Sequence, residues 1–152
     1  MQVIKKGAIV PVGWLDGGSL GNLMKVVICD ESVGRRAKTV QLLGAVPGVE
    51  VVGVTEFGES MPQDIACHEP SLVVMDVIRN GKPQPDLVQK VREALPGAKI
   101  VVFSAHAYPA VKASCTLAGV TCMLHESHGM SRLREVVCHC FQTDECSVRD
   151  PI

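Results

Sequence analysis

Three apolar runs in this chain end in side chains that can do chemistry. Lys25-Val26-Val27-Ile28-Cys29 runs into the acid pair Asp30-Glu31, Leu72-Val73-Val74-Met75 stops at Asp76, and Lys99-Ile100-Val101-Val102-Phe103 stops at the hydroxyl of Ser104. Short continuous apolar runs bounded by polar residues mark strands buried on both faces. In an open parallel sheet the carboxyl ends of such strands face the ligand crevice. Two strands ending in acids and one ending in a hydroxyl therefore define a candidate site.

Helical patterns separate the strands that must hold these groups. After the first strand, Val33, Ala37, Val40 and Leu43 fall at helical spacing, and Pro47-Gly48 stops that helix. Val49–Val54 reads as a second strand. Ser60 with Gln63 forms a capping-box pair for a second helix, with Met61, Ile65 and Ala66 inward. Behind Asp76 comes a polar loop. Asp86 with Gln89 repeats the capping-box spacing before a helix faced by Leu87, Val88, Val91 and Leu95 and ended by Pro96-Gly97. A fourth helix is predicted over Tyr108–Ala118, a fifth strand over Val120–Leu124, and a last helix through Met130, Leu133, Val136, Val137 and Phe141. Five strand–helix units with short connections predict a doubly wound α/β sandwich with right-handed crossovers. The division is an N-terminal extension over 1–23, one domain over 24–142 and a tail over 143–152. The extension holds six Gly or Pro residues, with a short strand expected at Ala8–Val12. Its Gly17-Gly18-Ser19-Leu20-Gly21 lacks the Gly-Lys-Ser/Thr ending of a phosphate loop.

Composition narrows the function. A net charge of −1 and 3% aromatic residues offer neither a basic footprint nor stacking surfaces for nucleic acid. Seven cysteines, odd in number and irregular in spacing, read as thiols in a reducing cytoplasm, with Cys29, Cys115 and Cys122 packed as small hydrophobes. The N-terminal stretch is too short and interrupted for a signal peptide or membrane span. His125-x-x-His128 with Cys138, His139, Cys140 and Cys146 matches no standard zinc spacing. The Cys138–Cys146 tail lacks the basic neighbours of a redox-sensing thiol. Ser104 and His106 lack the glycine elbow of a hydrolase.

The order, spacing and strand-end residues resemble the receiver domain of bacterial two-component response regulators. The likeness runs from about Met24 to Phe141. Val27–Glu31, Pro47–Gly53, Leu72–Asp76, Val101–Ala105 and Ala118-Gly119-Val120 carry it, and the middle phrases look most like receivers that precede a helix-turn-helix output domain. The resemblance implies a flavodoxin-like (CheY-like) five-stranded sheet of order 2-1-3-4-5. It implies that Asp76 accepts a phosphoryl group, that Asp30 and Glu31 hold Mg²⁺ together with Asp76, and that Ser104 contacts the phosphoryl oxygen. Three acids with an open face suit an ion that prefers carboxylates, water and phosphate oxygens, and a carboxylate is a competent nucleophile toward phosphorus. The protein would then be no enzyme beyond self-phosphorylation and autodephosphorylation. A histidine kinase or phosphotransfer protein, a separate output protein and a homodimer are the partners so implied, with no direct nucleic acid and no membrane. Only about ten residues follow the last helix, so an output domain in the same chain is not expected.

Three departures from that pattern stand out. The lysine after the fifth strand is replaced by Glu126, the aromatic switch residue by Met123, and the loop Val77–Pro85 is about two residues longer than the family norm. Arg79 and Lys82 in that loop are candidate substitutes for the lysine, and His125 would reach the site only through a bulge. The alternative reading is a pseudo-receiver, a phosphorylation-independent interaction or dimerisation scaffold. A flavodoxin-like domain binding another small anion or nucleotide is a further alternative, opposed by the scarcity of aromatics.

Overall fold

The structure, a computed structural model, describes residues 23–55 and 61–142. The elements run β1 Met24–Cys29, α1 Val33–Gly44, β2 Val49–Thr55, α2 Met61–Ala66, β3 Leu72–Met75, β4 Ile78–Arg79, β5 Lys82–Pro83, α3 Asp86–Ala94, β6 Lys99–Ser104, α4 Pro109–Leu117, β7 Cys122–His125, a 3-10 turn Glu126–His128 and α5 Gly129–Gln142. Five strands form a parallel sheet in the order β2-β1-β3-β6-β7. With the β4–β5 pair set aside, this is the predicted 2-1-3-4-5. The expected strand at Ala8–Val12 and the Ser60 cap lie outside the described residues, as does Cys146.

Alternation along the strands divides the core into two layers. Val27, Cys29, Val73, Met75, Ile100 and Val102 face α2, α3 and α4, where Met61, Ile65, Leu87, Val88, Val91, Val111 and Cys115 cover them. Val26, Ile28, Leu72, Val74, Val101 and Phe103 face α1 and α5, covered by Leu43, Leu133, Val136, Val137 and Cys140. Cys29, Cys115 and Cys122 are buried among these apolar residues. Burial pushes the Cys115 thiol up to about 11, so it stays protonated.

The face α1 turns inward differs from the apolar stripe read in the sequence. Val33 is 63% exposed, while Arg36, Thr39 and Leu43 are the buried positions. The helix is rotated so that its first turn brings arginines, not valine, to the end of the sheet. Ser32 caps it by accepting from the Arg35 N–H at 3.3 Å.

Two further local expectations change. Helix α3 begins behind Pro85 with no side-chain cap, and Gln89 donates forward to Glu93 instead of back to the helix start. The polar loop after Asp76 folds into a two-stranded antiparallel hairpin, Ile78 opposite Pro83 and Arg79 opposite Lys82. Asn80 and Gly81 sit at its tip with φ of 54° and 75°. Positive φ at both central residues is what a two-residue type I′ hairpin demands, and Asn-Gly is its strongest signal.

Candidate functional site

Register brings the acids together. Cys29 pairs with Met75 across β1 and β3, so Asp30 and Asp76, one step further on, lie side by side where the two strands end. The Asp76 N–H donates to the Cys29 carbonyl at 3.0 Å. Both follow residues of the α2–α4 layer, so alternation aims them at the α1–α5 side. Ser104 closes β6, paired with His125 of β7, and Glu126 follows at the start of the 3-10 turn. Asp30, Asp76 and Ser104 are all buried.

The side chain that organises these acids is Arg35, from the first turn of α1. Its Nε donates to Asp30 Oδ2 at 2.6 Å and its Nη2 to Asp30 Oδ1 at 3.0 Å, a two-point guanidinium–carboxylate pair. Nη2 also donates to Asp76 Oδ2, and Nη1 donates to Glu126 Oε2 at 2.6 Å. One guanidinium thus ties together the ends of β1 and β3 and the residue after β7. Behind it, buried Arg36 donates from Nη1 to the Asp30 carbonyl at 2.8 Å.

The remaining carboxylate oxygens are also occupied. Asp76 Oδ1 accepts the Val77 and Ile78 N–H groups at 2.6 and 3.2 Å. Asp30 Oδ1 accepts the Ser32 N–H at 2.8 Å. Glu31 is exposed and turned to the hairpin, where its Oε2 accepts the Asn80 N–H at 2.9 Å. Ser104 Oγ accepts the His106 N–H at 3.0 Å. Burial is the largest influence on Asp76 and raises its pKa above the ordinary carboxylate value. The neighbouring charge of Asp30 adds to the rise, while the Ser104 hydroxyl, Arg35 and the Val77 N–H oppose it. Burial works against the charge on Arg35, but the Asp30 hydrogen bond and the Asp76 and Asp30 carboxylates outweigh it, so Arg35 stays cationic.

Of the residues singled out in the sequence, Asp30, Asp76 and Ser104 cluster at the strand ends. Glu31 leaves the cluster for the hairpin. The candidate lysine substitutes are not what reaches the acids: Lys82 is exposed on β5, and Arg79 is half-buried on β4. His125 follows the regular strand and accepts the Ser127 N–H on Nδ1 at 3.0 Å, capping the turn. Arg35 was missed because a polar residue one turn into a helix carries no periodic signal. Its position five residues beyond Asp30, next to a serine cap, was the available hint.

The divalent cation that the resemblance implies does not fit these atoms as they stand. Each oxygen of Asp30 and Asp76 already accepts at least one N–H, and Glu31 points elsewhere. Among the described residues, no group of three or more His, Cys, Asp or Glu is arranged to hold a metal ion.

No protein-family model and no curated protein matches the chain. Solved structures do. The signal receiver domain of the response regulator NarL from Mycobacterium tuberculosis is 24% identical over 80% of this chain and 98% of its own, with a TM-score of 0.69. The isolated REC domain of RcsB from Salmonella enterica serovar Typhimurium, with the phosphomimetic BeF3⁻, is 15% identical over 84% and 94%, at a TM-score of 0.74. The fold is therefore that of response-regulator receiver domains. The chain also matches longer RcsB chains, spanning about three fifths of their length: 62% of a Salmonella typhimurium RcsB at 16% identity and TM-score 0.74, and 64% of RcsB in a structure of two dimers bound to two parallel DNAs.

These longer chains correct the expected partners. The sequence reading pictured a histidine kinase or phosphotransfer protein, a separate output protein and a homodimer, with nucleic acid excluded. In RcsB the same fold is part of a longer chain, and that chain binds DNA. The net charge of −1 is that of this chain, whereas DNA binding in RcsB is a property of the longer chain. No described helix is long and apolar enough to cross a membrane.

Proposed function

We propose that this chain is a receiver-fold signalling module that works as a phosphorylation-independent pseudo-receiver, through protein–protein contacts rather than phosphoryl transfer. The observation that carries this reading is Arg35, whose guanidinium sits on Oδ2 of Asp76 and both oxygens of Asp30. A charge-assisted hydrogen bond from Arg35 to Asp76 Oδ2 draws off the negative charge an attacking oxygen needs and places the guanidinium in the path to phosphorus, while Oδ1 is held by two backbone N–H groups. The acid at Glu126, in place of a cation beside the phosphoryl group, opposes a dianionic product further.

A second reading stays in play because Asp76, Asp30 and Ser104 share one strand-end cluster. In it, Asp76 attacks the phosphorus of a small donor, the bond from phosphorus to the leaving oxygen breaks, and an aspartyl phosphate forms. Asp30 and Glu31 would then hold Mg²⁺, and Ser104 would contact the phosphoryl oxygen. Arg35 would first have to swing away from Asp76.

Incubation with acetyl phosphate and Mg²⁺, read by intact mass, separates the two. The scaffold reading expects unchanged mass in a chain with a folded circular-dichroism spectrum. A one-phosphate increment that disappears in Asp76→Asn would overturn it.

A further inference from the structure

The acid cluster is built for cations, yet its inner charges balance without a metal. Asp30 and Asp76 are the buried carboxylates of this cluster, and Arg35 and Arg36 are two guanidiniums from the first turn of α1. Arg35 meets Asp30 at two points and Asp76 at one, with only 17% of its side chain exposed. Its side chain is thus held from three sides, Glu126 being the third. A divalent ion entering here would have to displace a two-point guanidinium–carboxylate pair. It would then stand beside the displaced cation and Arg36 in a poorly solvated pocket, where like charges repel strongly. Mg²⁺ also surrenders its water reluctantly and demands near-octahedral oxygen geometry, which Glu31, turned to Asn80, does not complete.

We propose that Arg35 is a tethered replacement for the divalent cation, so that the Asp30–Asp76 cluster is a latent metal site occupied by the protein's own guanidinium. This rests on the pseudo-receiver reading and specifies how it is enforced. The replacement lies in α1, not in the strand-end position where Glu126 stands. Arg35 is therefore a positioning residue: it fixes the ends of β1, β3 and β7 relative to one another in the manner a bound ion would, without depending on ion concentration.

The test uses the full chain and Mn²⁺ as the probe, with free Mn²⁺ followed by its electron paramagnetic resonance signal in metal-free buffer. Wild type should leave millimolar Mn²⁺ free. Arg35→Ala should bind it at least about ten-fold more tightly, and Arg35→Ala/Asp30→Asn should lose that gain. Should Arg35→Ala fail to fold, Arg35→Gln keeps the stem while removing the charge and serves in its place. Mn²⁺ binding by wild type that vanishes in Asp30→Asn would overturn the proposal. So would absence of binding in every Arg35 variant, since the acids would then form no cation site at all. Phosphorylation of a wild type that binds no Mn²⁺ would sink the scaffold reading alone. Asp30-dependent Mn²⁺ binding without phosphorylation would sink the replacement alone.

Discussion

Arg35 Nη1 and Glu126 Oε2 meet at 2.6 Å across 91 residues of chain. Glu126, at the position where the resemblance implies a lysine, is therefore not left facing other acids. It receives the outer edge of a guanidinium whose inner edge holds Asp30 and Asp76. The cation of this pair is supplied from α1 and the anion stands after β7.

Glu126 is the exposed member of the set, its side chain 42% accessible. Exposed ion pairs contribute little, so Glu126→Lys should cost at most about 1 kcal/mol of stability, and less at high salt. It should also fail to gain phosphorylation by acetyl phosphate, because Arg35 still covers Asp76. Urea unfolding at two salt concentrations and intact mass check both halves. Phosphorylation of the single variant would show that Glu126, not Arg35, silences the site.

Arg35→Ala removes the counter-cation of two buried carboxylates. Breaking such a pair costs about 3–5 kcal/mol, and that loss is expected at neutral pH without divalent ions. Lowering the pH should recover part of it. A carboxylate whose folded pKa is raised binds its proton earlier in the fold than in the unfolded chain, so stability returns as pH falls through the raised value. Urea unfolding of wild type and variant at neutral and acidic pH measures this. A loss independent of pH would mean that packing of the Arg35 stem, not charge, is what matters.

The raised pKa of Asp76 gives Asp76→Asn the opposite sign. The fold favours the neutral form of this group, and the stability so linked is present at low pH and lost as pH rises from the ordinary carboxylate value through the raised one. At neutral pH, Asp76→Asn should unfold at higher urea than wild type, with the gap closing on acidification below the ordinary carboxylate range. A less stable variant at neutral pH would show that the Arg35 ion pair outweighs the burial of the charge.

Gly48 tests the far end of the fold. Its φ is +83°, and a Cβ built there would lie 2.6 Å from Cζ of Phe141 on α5. The left-handed backbone alone costs a non-glycine residue about 1–2 kcal/mol, and the clash adds to it. Gly48→Ala should therefore destabilise by more than that, and by less in a Phe141→Leu background. A double-mutant cycle by urea unfolding reads the difference. Equal costs in the two backgrounds would remove the steric part of the argument.

What the sequence determined by itself is the part written in runs and punctuation. The stretches ending at Cys29, Met75 and Ser104 are short, rich in Val and Ile and bounded by polar residues, which together mark strands buried on both faces. Pro47-Gly48 and Pro96-Gly97 stop the helices where backbone chemistry requires. Strand order and the convergence of Asp30, Asp76 and Ser104 followed from that reading together with the resemblance. Tertiary structure decided the rest. Whether Val33 or Arg36 faces inward depends on how α1 is rotated against the sheet, and that rotation answers to the acids at the strand ends as much as to Leu43. The partnership of Arg35 with Asp76 and Glu126 joins residues 41 and 91 positions apart, and no local period encodes it. Short apolar runs report their own burial, but a charge's partner is set by where three strands happen to end.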